Sequence, residues 1–298
     1  MSCVAPCTCP PHCTVTLDRG LNTICIVDLH GATIVSWKVN DEEQLFVSQN
    51  AVYDCKKAIR GGVPIVFPHF GPWPLGPRHG FARIITWKVE KGPVKRDNGD
   101  IEAVFSVTDQ DRTKSLWNFA FKLTYTLVLG EKTLQFKIAV HNPSKNKEFT
   151  FNLLLHTYFK VQNVQQCSIS GLKGCIFRDD TKNGIKSKEN RETVTITEFV
   201  DRVYEDAPAQ QFLIKSQLSK IRIQKLNFPD TVVWNPWIEN SKAMDDFGDE
   251  EYLQMVCVES GHVSEPVILR PSITFEAGQI LELLKSEDQI TLLPVGKQ

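Results

Sequence analysis

Apolar and polar residues alternate along much of the chain. In FKLTYTLVL, residues 121 to 129, Phe121, Leu123, Tyr125, Leu127 and Leu129 share one parity, and in TLQFKIAV, residues 133 to 140, Leu134, Phe136, Ile138 and Val140 do the same. A period of two is the signature of a strand with one buried face. Only Gly130, Glu131 and Lys132 separate the two runs, so the pair predicts a β-hairpin. Similar short runs recur at 22–28, 31–39, 84–90, 102–108, 149–155, 193–199, 220–225, 253–258 and 273–276, each bounded by polar residues, Gly or Pro. Helical periodicity is nearly absent. So many antiparallel strands need their edges covered, which points to an all-β sandwich of mostly antiparallel strands. With no internal repeat or low-complexity linker, residues 14–298 are expected to form one domain behind a flexible Cys/Pro-rich leader, residues 1–13.

Two stretches depart from the alternation. AIRGGVPIVFPHFGPWPLGPRHGFAR, residues 58 to 83, holds five Gly, five Pro, three Arg and two His. Pro lacks an amide donor and Gly carries extra backbone entropy, so this is no helix interior but a shaped loop, where a rigid scaffold presents binding residues. In LQMVCVE, residues 253 to 259, both parities are apolar until Glu259 ends the run ahead of Ser260, Gly261 and His262. A strand apolar on both faces is buried on both, which predicts that the carboxylate sits at a rim or in a cleft. There desolvation would raise its pKa toward the range of a general base; the alternative is the first solvated residue of a turn.

Composition narrows the function classes. The formal net charge is −1, so no global field attracts nucleic acid or an acidic membrane, and any anion site must be local. No apolar run approaches the length of a membrane span and the N-terminus lacks a signal pattern, so the expected location is the cytoplasm. Of nine cysteines, Cys3, Cys7, Cys9 and Cys13 crowd the leader around His12. Four thiolates could close a zinc site, but the spacing is not that of paired C-x-x-C modules and three prolines interrupt it. The others, such as Cys25 and Cys257 in apolar runs, read as buried reduced thiols.

In FNLLLHTYF, residues 151 to 159, His156 falls on the parity of Asn152 and Tyr158, away from Phe151, Leu153 and Leu155. It reads either as a hydrogen-bonded core histidine or as a residue on a ligand-facing strand. Arg60 and Arg83 bracket the Gly/Pro loop; a guanidinium fork matches phosphate bidentately, while a surface arginine is the ordinary alternative. No phosphate-loop or dinucleotide fingerprint accompanies them. Residues 231 to 252 mix Trp234, Asn235 and Trp237 with Asp245, Asp246, Asp249, Glu250 and Glu251. Aromatics with amides suit a sugar site or an ordinary core; the acidic run reads as a solvated loop, since its spacing does not fit an EF-hand.

Four ordered segments then carry a resemblance: AIRGGVPIVFPHFGP with HGFAR, LLLHTYFKV, FPDTVVWNPWIENSKAMDDF and QMVCVESGHV. Together they resemble the motifs of the hexose-6-phosphate mutarotases (glucose-6-phosphate 1-epimerases) of the aldose 1-epimerase superfamily, over about residues 15 to 285. The resemblance implies a galactose-mutarotase-like β-supersandwich with a sugar cleft and neither metal nor organic cofactor. Carried over position by position, it places the catalytic pair on His156 and Glu259. Substrate contacts fall on Arg60, Arg83, Arg78 and Asp201, with His79 lining the cleft. The implied chemistry is interconversion of the α and β anomers of a hexose 6-phosphate, glucose 6-phosphate first, by acid–base ring opening, in a monomeric enzyme with no nucleic-acid or membrane partner. The chain departs from the family pattern at Ser260, where Pro is usual, and at Pro271-Ser272 and Phe275. The competing readings are a non-catalytic sugar-phosphate binding protein, or a glycoside hydrolase or lyase using Asp201 as a second carboxylate.

Overall fold

The computed structural model describes residues 13–285; residues 1–12 of the expected leader, with Cys3, Cys7, Cys9 and His12, lie outside them. The expected hairpin forms: Lys122–Leu129 pairs with Thr133–His141, with Leu129 opposite Leu134. It belongs to a nine-stranded sheet running from Thr193–Val194 at one edge to Lys88–Lys95 at the other. Facing it is an eight-stranded sheet with the central order Val200–Glu205, Asp230–Asn235, Met255–Leu269, Phe149–Leu155, Ile65–Val66. A third sheet stacks Thr14–Gly20, Thr23–Asp28, Thr33–Val39 and Glu42–Glu43 in chain order. All pairings between these strands are antiparallel, as the alternation requires. The all-β sandwich is therefore the observed fold.

The alternating residues do what their parity predicts. Leu123, Tyr125 and Leu127 of one large sheet and Phe151, Leu153, Leu155, Val256 and Val258 of the other share one buried core. Phe151 meets Phe275 across it at 5.6 Å between ring centroids. Two predicted runs are trimmed. Residues 84–90 open with a 3₁₀ turn, Ala82–Ile84, and become strand only at Lys88; residues 193–199 keep only Thr193–Val194.

The eight-stranded sheet is covered on its other face as well, which explains why LQMVCVE is apolar in both parities. Val256 and Val258 face the main core, while Met255 and Cys257 pack with Phe46, Tyr158 and Phe247 on the outer side. The strand does not end at Glu259, as the sequence suggested: it continues to Leu269, with Glu259 opposite Val232 and Ser260 opposite Leu155. Glu259 is thus a mid-strand residue on the outer face, 1% exposed, and not the first solvated residue of a turn.

The Gly/Pro loop is held close to the sheets. Gly62 has φ +66°, and a Cβ there would lie 1.9 Å from the Ile34 carbonyl oxygen. Gly80, at φ +74°, would meet the Phe67 carbonyl oxygen at 2.2 Å. Only glycine accepts both conditions, and these two positions flank Arg60 on one side and His79 on the other.

Candidate active site

The strands Phe149–Leu155 and Tyr158–Lys160 pair with the same long strand in one register, Leu155 with Ser260 and Tyr158 with Cys257. That register puts His156, in the break between them, opposite Glu259. The break is pinned: the His156 amide donates to the Pro64 carbonyl at 2.9 Å, and the Thr157 hydroxyl accepts from Gln279 Nε2 at 3.1 Å. His156 Nδ1 and Glu259 Oε1 are 3.3 Å apart, both residues buried. Tyr158, two residues on and of the same parity, stacks on the imidazole at 4.6 Å and 10° between planes, fixing its tilt.

Around this pair opens a cavity of about 420 Å³ whose lining includes all seven residues that the resemblance implied: His156, Glu259, Arg60, Arg78, Arg83, His79 and Asp201. Trp234 also lines it, edge-on to His156 at 6.1 Å. Trp237 does not; it packs on Tyr252 instead, and Asn235 is buried holding the Tyr252 and Met255 carbonyls. Sequence reasoning missed Tyr158, Phe70, Phe199, Asn240 and Met244 of the lining. Only Tyr158 carried a signal, its shared parity with His156.

The arginines form one side of the cavity and separate it from a neighbouring hollow of about 450 Å³ bordered by Lys56, Lys57 and Asp245. Arg60 Nε donates to Asp246 at 3.1 Å and its Nη1 to the Tyr158 hydroxyl at 3.4 Å. Burial works against its charge, but the Tyr158 and Asp246 oxygens outweigh it and raise its pKa. The acidic run is therefore not simply a solvated loop: Asp246 orients Arg60, and buried Glu251 accepts from Ser48 Oγ at 2.5 Å and the Gln49 amide at 2.9 Å. Arg83 Nη2 donates to the Arg78 carbonyl at 2.8 Å, and burial brings its pKa down to about 10, so it remains a cation at neutral pH.

His79, held at φ +67°, has two donors aimed at its two ring nitrogens: the Gly71 amide at Nδ1, 3.1 Å, and Arg78 Nε at Nε2, 3.2 Å. Burial and the surrounding arginines push its pKa well down, so the ring is neutral, and a neutral imidazole accepts at one nitrogen only. The backbone donor is fixed. The Arg78 contact is the unsatisfied one, which leaves that guanidinium ready for another acceptor.

Burial sets the state of the central pair. It raises the Glu259 pKa well above the usual carboxylate range, with Asp201 adding to the effect and Arg83 and Arg78 opposing it. Burial, then Arg83 and Arg60, drive His156 well below the usual imidazole value. Both shifts run the same way: burial favours a neutral carboxyl and a neutral imidazole over the ion pair. Glu259 Oε2 is buried without a hydrogen-bond partner among the described residues. Asp201, opposite Trp234 in the sheet, is shifted by burial, and then by Asp180, to about 6. Such an arrangement can deliver a proton at one point, remove one at a neighbouring point, and hold an anion beside both.

The fold and this cleft define a sugar-epimerase type of protein, and comparison with known proteins agrees. The aldose 1-epimerase family model matches residues 14–282, so the chain belongs to that family. It is 34% identical over 261 residues to a Cenchrus ciliaris protein described as "Putative glucose-6-phosphate 1-epimerase", spanning 85% of this chain and 79% of the relative. A protein of the same description from Escherichia coli K12 is 34% identical over 244 residues, spanning 80% and 79%. The crystal structure of "a putative mutarotase" from Salmonella typhimurium superposes with a TM-score of 0.84 at 28% identity, covering 91% of this chain and 90% of that one. A galactose 1-epimerase from Lactobacillus acidophilus shares the fold, with a TM-score of 0.72 at 14% identity over 95% and 97% of the two chains.

Proposed function

We propose that the protein interconverts the α and β anomers of a hexose 6-phosphate, with glucose 6-phosphate the preferred substrate, using His156 and Glu259 as the proton-transfer pair. The observation that carries this reading is the joining of that pair and three arginines in one cavity. The names of the relatives support the same substrate class.

Ring opening needs a base at the C1 hydroxyl and an acid at the ring oxygen, two atoms bonded to the same carbon. Two proton-carrying groups 3.3 Å apart suit that spacing. With the ring closed, ionised Glu259 takes the hydroxyl proton while protonated His156 gives one to the ring oxygen. In the open aldehyde the protein then holds a carboxyl and a neutral imidazole, the forms that burial favours. After rotation about C1–C2 the roles reverse and the other anomer closes. Each group contributes about 10²–10⁴-fold, enough for a reaction that already proceeds in water.

The phosphate couples binding to this proton. Arg83, Arg60 and Arg78 depress the imidazole pKa. A dianion seated among them cancels that repulsion and favours the protonated imidazole that ring opening requires. Arg78, with its compromised contact to His79, is the guanidinium freest to turn toward the phosphate. Asp201 and Trp234 serve the sugar, one accepting from hydroxyls and the other offering a ring face. The hydrolase alternative finds less support, because the group against Glu259 is an imidazole rather than a second carboxylate.

Anomeric exchange NMR on glucose 6-phosphate, galactose 6-phosphate and free glucose tests this reading. Acceleration confined to the phosphorylated sugars, and fastest for glucose 6-phosphate, is expected. Equal acceleration of free glucose would remove the role given to the arginines, and no acceleration of any would leave a binding protein.

A further inference from the structure

Beside the acid–base pair lies a third side chain with no part in the chemistry above. Cys257 has the same strand parity as Glu259, and its Sγ lies 3.8 Å from His156 Nδ1, the nitrogen that is 3.3 Å from Glu259 Oε1. The three donor atoms lie within 4.8 Å of one another, all on buried residues, and no other such group of three is found among the described residues. Donors at about 2.0–2.3 Å from a tetrahedral zinc ion are themselves roughly 3.3–3.8 Å apart, which is the spacing of the thiol and the carboxylate from His156 Nδ1 here, at 3.8 and 3.3 Å. The set of imidazole, thiol and carboxyl is one that a borderline-soft divalent cation prefers over magnesium or calcium. The second oxygen of Glu259 is buried without a hydrogen-bond partner among the described residues.

We propose that His156 Nδ1, Cys257 Sγ and a Glu259 carboxylate oxygen form an inhibitory site for a zinc-like divalent cation. This inference rests on the reading of His156 and Glu259 as the proton-transfer pair. Entry of the ion expels the thiol and carboxyl protons to solvent, leaving thiolate, carboxylate and neutral imidazole as ligands. Three protein ligands and one open position result, with both proton carriers engaged. The cation does not enter the reaction; it stops the protein by occupying the groups that move the proton.

Cobalt(II) is the probe, because a thiolate ligand gives a charge-transfer absorption that other donors do not. The experiment uses the full chain in metal-free buffer, alongside full chains carrying Cys257→Ser or serine at Cys3, Cys7, Cys9 and Cys13. The wild type and the leader variant are expected to bind one cobalt per chain with the thiolate band. Zinc should displace the cobalt, and one equivalent of zinc should slow anomeric exchange at least tenfold, reversibly with a chelator. Cys257→Ser is expected to lose the band and tolerate zinc relative to its own rate. A band that survives Cys257→Ser, or is lost with the leader cysteines, overturns the site; should the serine variant not fold, Cys257→Ala takes its place in the same comparison. A band at Cys257 with exchange undiminished overturns the inhibition, and would place the failure in the proton-pair reading, not in the metal site.

Discussion

Glu259 costs the fold stability, and the sign can be worked out. Its pKa is raised by burial, so above the ordinary carboxylate pKa the unfolded chain ionises while the folded chain keeps its proton. The stabilising contribution is thus complete at acid pH and shrinks as pH rises. Glutamine cannot ionise, so Glu259→Gln is expected to gain stability relative to wild type as pH rises above the ordinary carboxylate pKa, worth about 1–3 kcal/mol and about 2 °C or more in Tm. Calorimetry at acid and at neutral pH checks this; a difference in Tm that does not change with pH contradicts it. At the arginines the expected loss is in binding. Arg78→Ala and Arg83→Ala should each raise KM for glucose 6-phosphate about 10- to 100-fold with kcat little changed, since each removes a charge-assisted contact to a group that does not react. Saturation curves from exchange rates separate this from a loss in kcat. The histidine was legible in the sequence as the polar parity of an apolar strand. The setting of Glu259 was not, because alternation cannot tell a strand that ends from one that continues across a buried cleft.

At the level of elements, the glycines of residues 58–83 are steric requirements and not spacers. Gly62→Ala would force a Cβ onto the Ile34 carbonyl at a positive φ, two residues from Arg60. It is expected to lower Tm by several degrees through backbone strain of about 1–3 kcal/mol or more, and to raise KM by displacing Arg60. An unchanged Tm would show that the loop relaxes freely. That this segment is a shaped loop follows from Pro and Gly content alone. Its target does not, because the contacts of Gly62 with Ile34 and of Gly80 with Phe67 are tertiary. The same limit applies to the long strand Met255–Leu269: apolar residues in both parities show burial on both faces, but the register that sets His156 against Glu259 comes from pairing with two separate strands. The acidic run was misread for the same reason, since Asp246 and Glu251 find their partners, Arg60 and Ser48, in a distant part of the chain.

Across the whole molecule, an almost neutral chain, net −1, carries three arginines at one cleft. On the proposed reading the attraction for a phosphorylated sugar is local, so added salt should weaken glucose 6-phosphate binding over the range where the Debye length falls from about 10 Å to about 3 Å, while leaving kcat nearly constant. Titration calorimetry with sodium chloride measures it; salt-independent affinity would argue that the arginines are not the phosphate site. None of the helices among the described residues is long and apolar enough to cross a membrane. The strand pattern was enough to foresee two large sheets about one core, whereas the cleft arises only where the outer face of one sheet meets the Gly/Pro loop. The account stands or falls on His156 and Glu259 acting as one proton-carrying unit. A double-mutant cycle on glucose 6-phosphate exchange, with His156→Asn, Glu259→Gln and the two combined, tests it most directly. Each single change should cost about 10²–10⁴-fold and the pair no more than the worse single change; losses that multiply would show two groups working independently.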